Sequence, residues 1–433
     1  MQITEEFCMV KEKLIRETTA GTYSGISELE VPFSQFQSVD CSYLRKVWWN
    51  SRLRGSNPII QKDFDRPQLN IVDLCSGCGG FASGVRWACE SVGVRPVIQL
   101  CVDVFTEAII VYKNNLKPLR VLNENIANLV TYPKGETYEF GNYLNQINTS
   151  NQTLLYLKGK VDLVIAGPPC EGNSNLNNKT RRFDIRNELY VDAVACAIFL
   201  EAKVVIIENV ASVTRTRQRV VERAVEMLVG AGYHTNKGVK LDASMFGTPQ
   251  RRKRHFLIAA KVDEFDLTES FDGLKCEFLS TDEAINDLEK VIPTEDFDNP
   301  STLSKENKMR VEYLINNNLW NLPDSERPKC HQNGKHNYRA VYGRIFSDQP
   351  SQTITTGFLS PGRGRFTHPS LARSLTPHEG ARLQGFPDDF QFKGRKGETV
   401  SRQGIAKLIG DAVPPQLGYL MGLAALTLNS YGD

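Results

Sequence analysis

Asn70-Ile-Val-Asp-Leu-Cys75, running on into Ser76-Gly-Cys-Gly-Gly-Phe81, is the stretch on which the fold turns. The first six residues are a short apolar run of the kind that forms a buried strand. The glycines after it allow a tight turn, and a helical pattern then continues through Ala88. Working outward, Val97-Ile-Gln-Leu-Cys-Val102, Val161-Asp-Leu-Val-Ile-Ala166 and Val204-Val-Ile-Ile207 read as further strands. Helical patterns at Thr106 to Asn114, Leu189 to Glu201 and Val220 to Gly230 alternate with them. Such alternation predicts an α/β fold, a parallel sheet with helices on both faces. Ligands in such folds sit at the carboxyl ends of the strands, so the residues just after each strand are the informative ones.

The rest of the chain is less regular. Residues 1–66 form an N-terminal extension without clear periodicity. Within it, Tyr43 to Arg54 mixes aromatics with bases, suggesting an accessory helix that packs its tryptophans on the next domain, or else lies on nucleic acid. Residues 67–261 form the main domain. Gly, Pro, Asn and Asp are scattered through 262–372, which reads as a second, loop-rich, small-stranded domain. Regularity returns in 373–433, whose last helix is expected to rejoin the first domain.

Of the 433 residues, 41% are hydrophobic and 24% charged, a globular rather than a disordered balance. No apolar run approaches the roughly 18 residues that a membrane helix needs. Acids at the N-terminus argue against a secretory signal, and ten cysteines are too sparse for a disulfide scaffold. A cytoplasmic, nucleoid-associated protein is therefore expected. The net charge of +2 hides segregation. Thirteen acids against Lys275 and Lys290 fill 262–299, whereas bases cluster at Lys179, Arg181, Arg182 and Arg186, at 215–219, at 251–254, and at Arg363 and Arg365. Such patches suit a polyanion.

The strand ends carry the chemistry. Gly77, Gly79 and Ala82 match a dinucleotide fingerprint only loosely, which leaves a nicotinamide or flavin open at this point. Asp103 closes the second strand, where an acid can hold ribose hydroxyls. Asp73 would repel a pyrophosphate but could hold an ammonium group, which tips the reading toward S-adenosylmethionine. Cys75 and Cys78 have no second pair at zinc spacing, so no metal is expected. After the third strand, Gly167-Pro-Pro-Cys170 places a thiol rigidly, and the bases through Arg186 would favour its thiolate. Glu208 emerges from an apolar strand, where burial raises a carboxyl pKa and makes a proton donor. Gln250, Arg252 and Arg254 alternate along the next strand and would share one face.

These segments, with Arg382-Leu-Gln-Gly-Phe-Pro387 and Gly410-Asp-Ala-Val-Pro-Pro415, follow in the order found in the DNA cytosine-C5 methyltransferases, which the chain resembles from about Leu69 to Leu426, excepting Val262 to about His336. The resemblance implies a Rossmann-like, S-adenosylmethionine-dependent sheet with a smaller, mostly irregular or β target-recognition domain at 262–372. It implies S-adenosylmethionine held by Asp73, Cys75, Ser76, Gly77, Gly79, Gly80, Asp103, Val104, Asn125, Ile126, Pro168, Asp411 and Ala412. Cys170 would attack C6 of a cytosine flipped from duplex DNA, Glu208 would serve N3, and Arg254, supported by Arg252, would hold O2. DNA would meet Glu171, Ser174, Lys179, Arg181, Arg182, Arg186, Gln250, Arg344, Arg363 and Arg365.

The chain departs from the family's pattern at Cys75, Asn125, Glu171, Asn173 and Asp411. Two rivals are a tRNA-methylating relative, whose usual Cys-Phe-Thr triplet is missing from the recognition region, and a catalytically silent DNA-binding regulator. A restriction-modification or other defence setting, with a cognate nuclease as a possible partner, completes the expectation.

Overall fold

The computed structural model describes residues 2–31, 40–60, 66–135, 143–169, 184–236, 238–293, 295–332 and 340–431. Three eight-residue strands open it: β1 (Ile3–Val10), β2 (Lys13–Ala20) and β3 (Tyr23–Glu30), each antiparallel to the next. The helix α1 (Cys41–Leu53) follows, and the short strand β4 (Ile59–Ile60) completes a four-stranded sheet against β3. No periodicity foretells this sheet, because its buried face is not uniformly apolar. On β1 it carries Ile3, Glu5 and Phe7, and on β2 Leu14, Arg16, Thr18 and Ala20. Glu5 lies among Arg16 Nη1 at 3.3 Å, Arg45 Nε at 2.9 Å and the Tyr419 hydroxyl at 2.6 Å. The tryptophans of α1, Trp48 and Trp49, are buried, so the helix packs rather than presenting its rings outward.

The second sheet holds the main domain. Its elements are β5 (Gln68–Leu74), α2 (Gly80–Ser91), β6 (Arg95–Val102), α3 (Thr106–Leu116), β7 (Val121–Leu122), α4 (Gln152–Leu157), β8 (Leu163–Ala166), α5 (Leu189–Phe199), β9 (Val204–Val210), α6 (Val220–Gly230), β10 (His234–Thr235), β11 (Val239–Asp242) and β12 (Lys253–Ala260). The strand order is β10-β12-β9-β8-β5-β6-β7, with β11 also on β12. Strands β5 to β9 are parallel, as alternation predicts, but β12 runs antiparallel to β9 and makes the sheet mixed. Successive side chains face opposite sides of a strand. Ile71, Leu163, Ile165, Ile206 and Phe256 therefore join one core with α2, while Val72, Val164, Ala166, Val205 and Leu257 join another with α5 and α6. From β5 the chain winds one way through β6 and β7 and the other way through β8 and β9. The loops after β5 and β8 consequently diverge, and a crevice opens at their carboxyl ends.

Beyond β12 the chain is irregular, with short helices α7 (Thr268–Gly273), α8 (Thr281–Ile285) and α9 (Lys305–Asn316). Between residues 262 and 372, pairing reduces to isolated bridges such as Arg344 to Thr367, in place of regular strands, among the described residues. A capping box between Ser280 and Glu283 starts α8, with Asp282 and Glu283 in its first turn. The chain ends in α10 (Pro377–Gln384), α11 (Arg402–Asp411) and α12 (Pro415–Asn429). Helix α12 lies against α2 at backbone contact. A Cβ on Gly84 would stand 2.0 Å from the Pro415 carbonyl oxygen, and one on Gly418 would stand 2.5 Å from that of Phe81.

The Glu5 cluster makes the N-terminal sheet part of this packing. Removing one partner of a buried ionic group strands the others, at about 3–5 kcal/mol. Glu5→Ala is therefore expected to lower the stability measured by urea unfolding by that amount. A loss below about 1 kcal/mol would mean that the cluster does not anchor the sheet.

Candidate active site at the strand ends

The crevice at the end of β5 holds a cavity of about 290 Å³. Its floor is the turn between β5 and α2. Cys75 and Gly77 both have φ of 53° and Gly79 has 92°, the left-handed region that favours glycine and strains Cys75. Asp103 pins this turn, accepting from Gly77 N at 2.8 Å and from Phe105 N at 2.8 Å. Burial nevertheless raises its carboxyl pKa. Asp73 is buried, and desolvation carries its pKa well above the usual carboxylate range; the Tyr112 hydroxyl, donating at 3.0 Å, works the other way. The Ser76 hydroxyl is buried with no partner among the described residues.

The opposite wall comes from β8, β9 and β12. Pro168 and Pro169 lie just beyond β8, and Asn209 Nδ2 donates to the Pro168 carbonyl at 3.1 Å, fixing that backbone. Glu208, near the end of β9, sits 2.8 Å from Arg254 Nε on β12. Burial raises the Glu208 pKa, while the Arg254 and Arg252 charges oppose it without cancelling it. The acid therefore keeps its proton to higher pH than an exposed glutamate, which favours a proton donor.

The roof is formed by the C-terminal segment, with Lys407, Leu408, Asp411, Ala412 and Val413. Asp411 and Ala412 are among the residues that the family resemblance implies here; Lys407, which pairs with Asp411 one helical turn away, is not. That i,i+4 spacing was a readable signal. Also overlooked were Phe81, Phe105 and Ala108, which supply apolar wall, and Tyr112 and Asn209, which position others.

Of the proposed cofactor residues, Asp73, Cys75, Ser76, Gly77, Gly80, Asp103, Val104, Pro168, Asp411 and Ala412 line the cavity, with Val104 63% exposed into it. Gly79 caps α2 behind it. Asn125 caps a short turn through Ala127 N, and the neighbouring Ile126 is buried; neither lines the cavity. Cys78 is buried, its thiol pKa pushed up to about 12, so it is no nucleophile.

Several residues expected to face the base or DNA lie elsewhere. Gln250 is wholly buried, donating to the Leu383 carbonyl at 3.1 Å and Gln384 Oε1 at 2.8 Å while accepting from Ile354 N at 2.8 Å. It is an internal clasp, because the shared face of that segment is covered by later chain. Arg252 is likewise a brace, donating to the carbonyls of Ile354 at 2.9 Å, Gly410 at 2.9 Å and Ala412 at 3.0 Å. Only its charge reaches Glu208. Arg344 stacks on Trp320 and donates to Asn318, and Arg365 donates to the carbonyls of Trp320 and Arg344, so both hold their own domain together. Arg363 is exposed. Arg186 lines the cavity and is oriented by Asp184 at 2.7 Å. Cys170, Glu171, Asn173, Ser174, Lys179, Arg181 and Arg182 lie outside the described residues.

The brace is testable. Arg252→Met leaves three buried carbonyls without their donor, each worth about 1–3 kcal/mol before relaxation. Urea unfolding is expected to show a loss of at least about 2 kcal/mol. Unchanged stability with lost activity would instead return Arg252 to the reacting base.

Comparison with known proteins agrees with this arrangement. A family model described as C-5 cytosine-specific DNA methylase matches residues 69–424. The chain is 36% identical over 422 residues to Type II methyltransferase M1.BsuMI of Bacillus subtilis, covering 98% of this chain and 95% of that protein. It is 28% identical over 390 residues to Type II methyltransferase M.DdeI of Desulfomicrobium norvegicum, covering 81% and 86%. The fold is also that of the S. pombe Dnmt2 methyltransferase (TM-score 0.52, 16% identity, 82% of this chain and 98% of that one). The Entamoeba histolytica methyltransferase EhMeth is similar (TM-score 0.51, 15% identity, 83% and 98%). A sheet with its cavity at the switch point, a pair of prolines just beyond β8 and a buried Glu208–Arg254 pair thus occur in a chain that belongs to the C-5 cytosine-specific DNA methylase family.

Proposed function

We propose that this chain methylates C5 of cytosine within a specific sequence of duplex DNA, as the modifying half of a restriction-modification system. The observation that carries the chemistry is Glu208, buried against Arg254 with its pKa raised, beside a cavity whose other acids are Asp73, Asp103 and Asp411. Asp73 and Asp103, side by side at the β5 and β6 ends, suit a cationic group there better than a pyrophosphate. The unpartnered Ser76 hydroxyl and the glycine turn fit S-adenosylmethionine. In this reading Asp73, Ser76, Gly77, Asp103, Val104 and Asp411 would hold it. When bound, S-adenosylmethionine supplies an electrophilic methyl group.

Cytosine C5 is a weak nucleophile, so this chain's residues must enrich it. The Cys170 thiolate forms a bond from Sγ to C6, and the ring's electron pair moves toward C5 as Glu208 protonates N3. Arg254 donates to O2 and stabilises the charge that develops there. Once C5 carries the methyl group, its proton leaves to a base, the C5–C6 double bond re-forms as Cys170 departs as thiolate, and N3 returns its proton to Glu208. Because stacked cytosine hides C6, the base must be flipped out of the duplex. Lys179, Arg181, Arg182 and Arg186 would close over the phosphates, while Glu171, Ser174 and Arg363 would meet the DNA. The Type II methyltransferase names of the relatives favour DNA over tRNA, and Glu208 with Arg254 argues against a silent regulator.

The test is transfer of labelled methyl from S-adenosylmethionine to mixed-sequence duplex DNA and to bulk tRNA in parallel, with methylcytosine mapped at single-base resolution. Label in DNA at one recurring motif is expected, and Cys170→Ala should abolish it. Label confined to tRNA, or none, would overturn the reading. The pH dependence follows from Glu208. Its proton is needed at N3, and its raised pKa keeps that proton to higher pH than an exposed glutamate would. Turnover should therefore fall as pH rises through that pKa. Glu208→Gln should lose about 10²–10⁴-fold in rate and abolish this limb. A limb that survives the substitution would assign it to another group.

A further inference from the structure

Away from the crevice, a second cavity of about 280 Å³ lies where the N-terminal sheet meets α1, α2 and α12. Its character is opposite to that of the first. Arg16, Arg52 and Arg86 reach it, and Glu90 is the one acid in its lining. Its walls are aromatic. The Arg16 guanidinium lies 4.1 Å from the Trp48 ring centroid and that of Arg52 lies 5.0 Å from Trp87, while Trp49 stands 6.2 Å from Trp87. Three donors of the lining residues are buried without a hydrogen-bond acceptor among the described residues: Arg16 Nε, the Ser27 hydroxyl and Arg86 Nε, the last 3.8 Å from the Glu90 carboxylate. Arg16 and Ser27 are 3% and 1% exposed, and Glu5, the nearby carboxylate, is already engaged by Arg16 Nη1, Arg45 and Tyr419. Buried donors of this kind call for an acceptor.

We propose that this cavity binds a small organic anion, one planar ring carrying a phosphate or carboxylate, whose acidic group accepts from Arg16 Nε and the Ser27 hydroxyl. The Arg16, Arg52 and Arg86 guanidiniums outnumber Glu90 and the Arg16-bound Glu5 and select the charge, and the tryptophan walls select a flat apolar body. The volume lies at the lower end of the roughly 300–1,000 Å³ of small-molecule pockets, which limits the body to about one ring. The site is separate from the catalytic crevice and shares no lining residue with it. Helix α2 touches both, with Gly80 and Phe81 at one end and Arg86 and Glu90 at the other.

The test titrates the full-length protein with phenyl phosphate, benzoate and phenol, read by calorimetry and by tryptophan fluorescence. At least one of the two anions is expected to bind at one saturable site, with phenol at least about tenfold weaker and S-adenosylmethionine not competing. Phenyl phosphate alone would assign a phosphate ligand, and benzoate alone a carboxylate. Ser27→Ala and Arg86→Gln should each weaken the bound anion by about tenfold without lowering the unfolding midpoint of the unliganded protein. No saturable binding of either anion, equal binding of phenol, or affinity untouched by both variants would overturn the proposal.

Discussion

Arg252 ties the two halves of the chain into one site. Its guanidinium reaches the carbonyls of Ile354, Gly410 and Ala412, between 102 and 160 positions further along the chain. Without that brace, Asp411 and Ala412 would not roof the cavity that the β5 turn begins. Gln250 reinforces it through Leu383, Gln384 and Ile354, and the α2–α12 contact at Gly84 and Gly418 sets the depth at which the last helix seats. Each partner in this clasp is buried and paired, the condition under which a polar group inside a protein holds a unique arrangement rather than destabilising it.

The same arrangement explains how acids come to face inward at the site. Asp73, Asp103 and Glu208 all sit at or near strand ends, where the sheet stops supplying apolar neighbours and the crevice begins. Burial raises the pKa of all three, and each is balanced by a specific neighbour: Tyr112, the amides of Gly77 and Phe105, and Arg254. The fold thus sets the protonation of the site through desolvation first and through its partners second.

Much of this was readable in advance, for definite reasons. Strand β8, the Ile71–Val72 centre of β5 and the Val204–Ile207 part of β9 are apolar because both of their faces are covered, and the polar residues at or just past their carboxyl ends have only the crevice to enter. That is why Asp73, Pro168 and Glu208 could be placed from the sequence. Gln250 and Arg252 could not, since alternation shows that they share a face but not which later segment covers it. The N-terminal sheet escaped notice for a different reason. Glu5, Arg16 and Thr18 occupy inward positions, with Glu5 and Arg16 paired to each other, and these polar residues on the buried face erase the polar–apolar alternation by which a half-buried strand is read.

The account stands or falls on whether Cys170 bonds covalently to a cytosine in DNA. A duplex carrying 5-fluorocytosine at the methylated position provides the most direct measurement, because fluorine cannot leave C5 as a proton does and the thiol adduct is retained. Incubation with S-adenosylmethionine is predicted to yield a protein–DNA species that survives denaturing electrophoresis, with the attachment mapped to Cys170 and absent from Cys170→Ala. Methylation of the ordinary duplex without any such adduct on the fluorinated one, or an adduct on another residue, would contradict it.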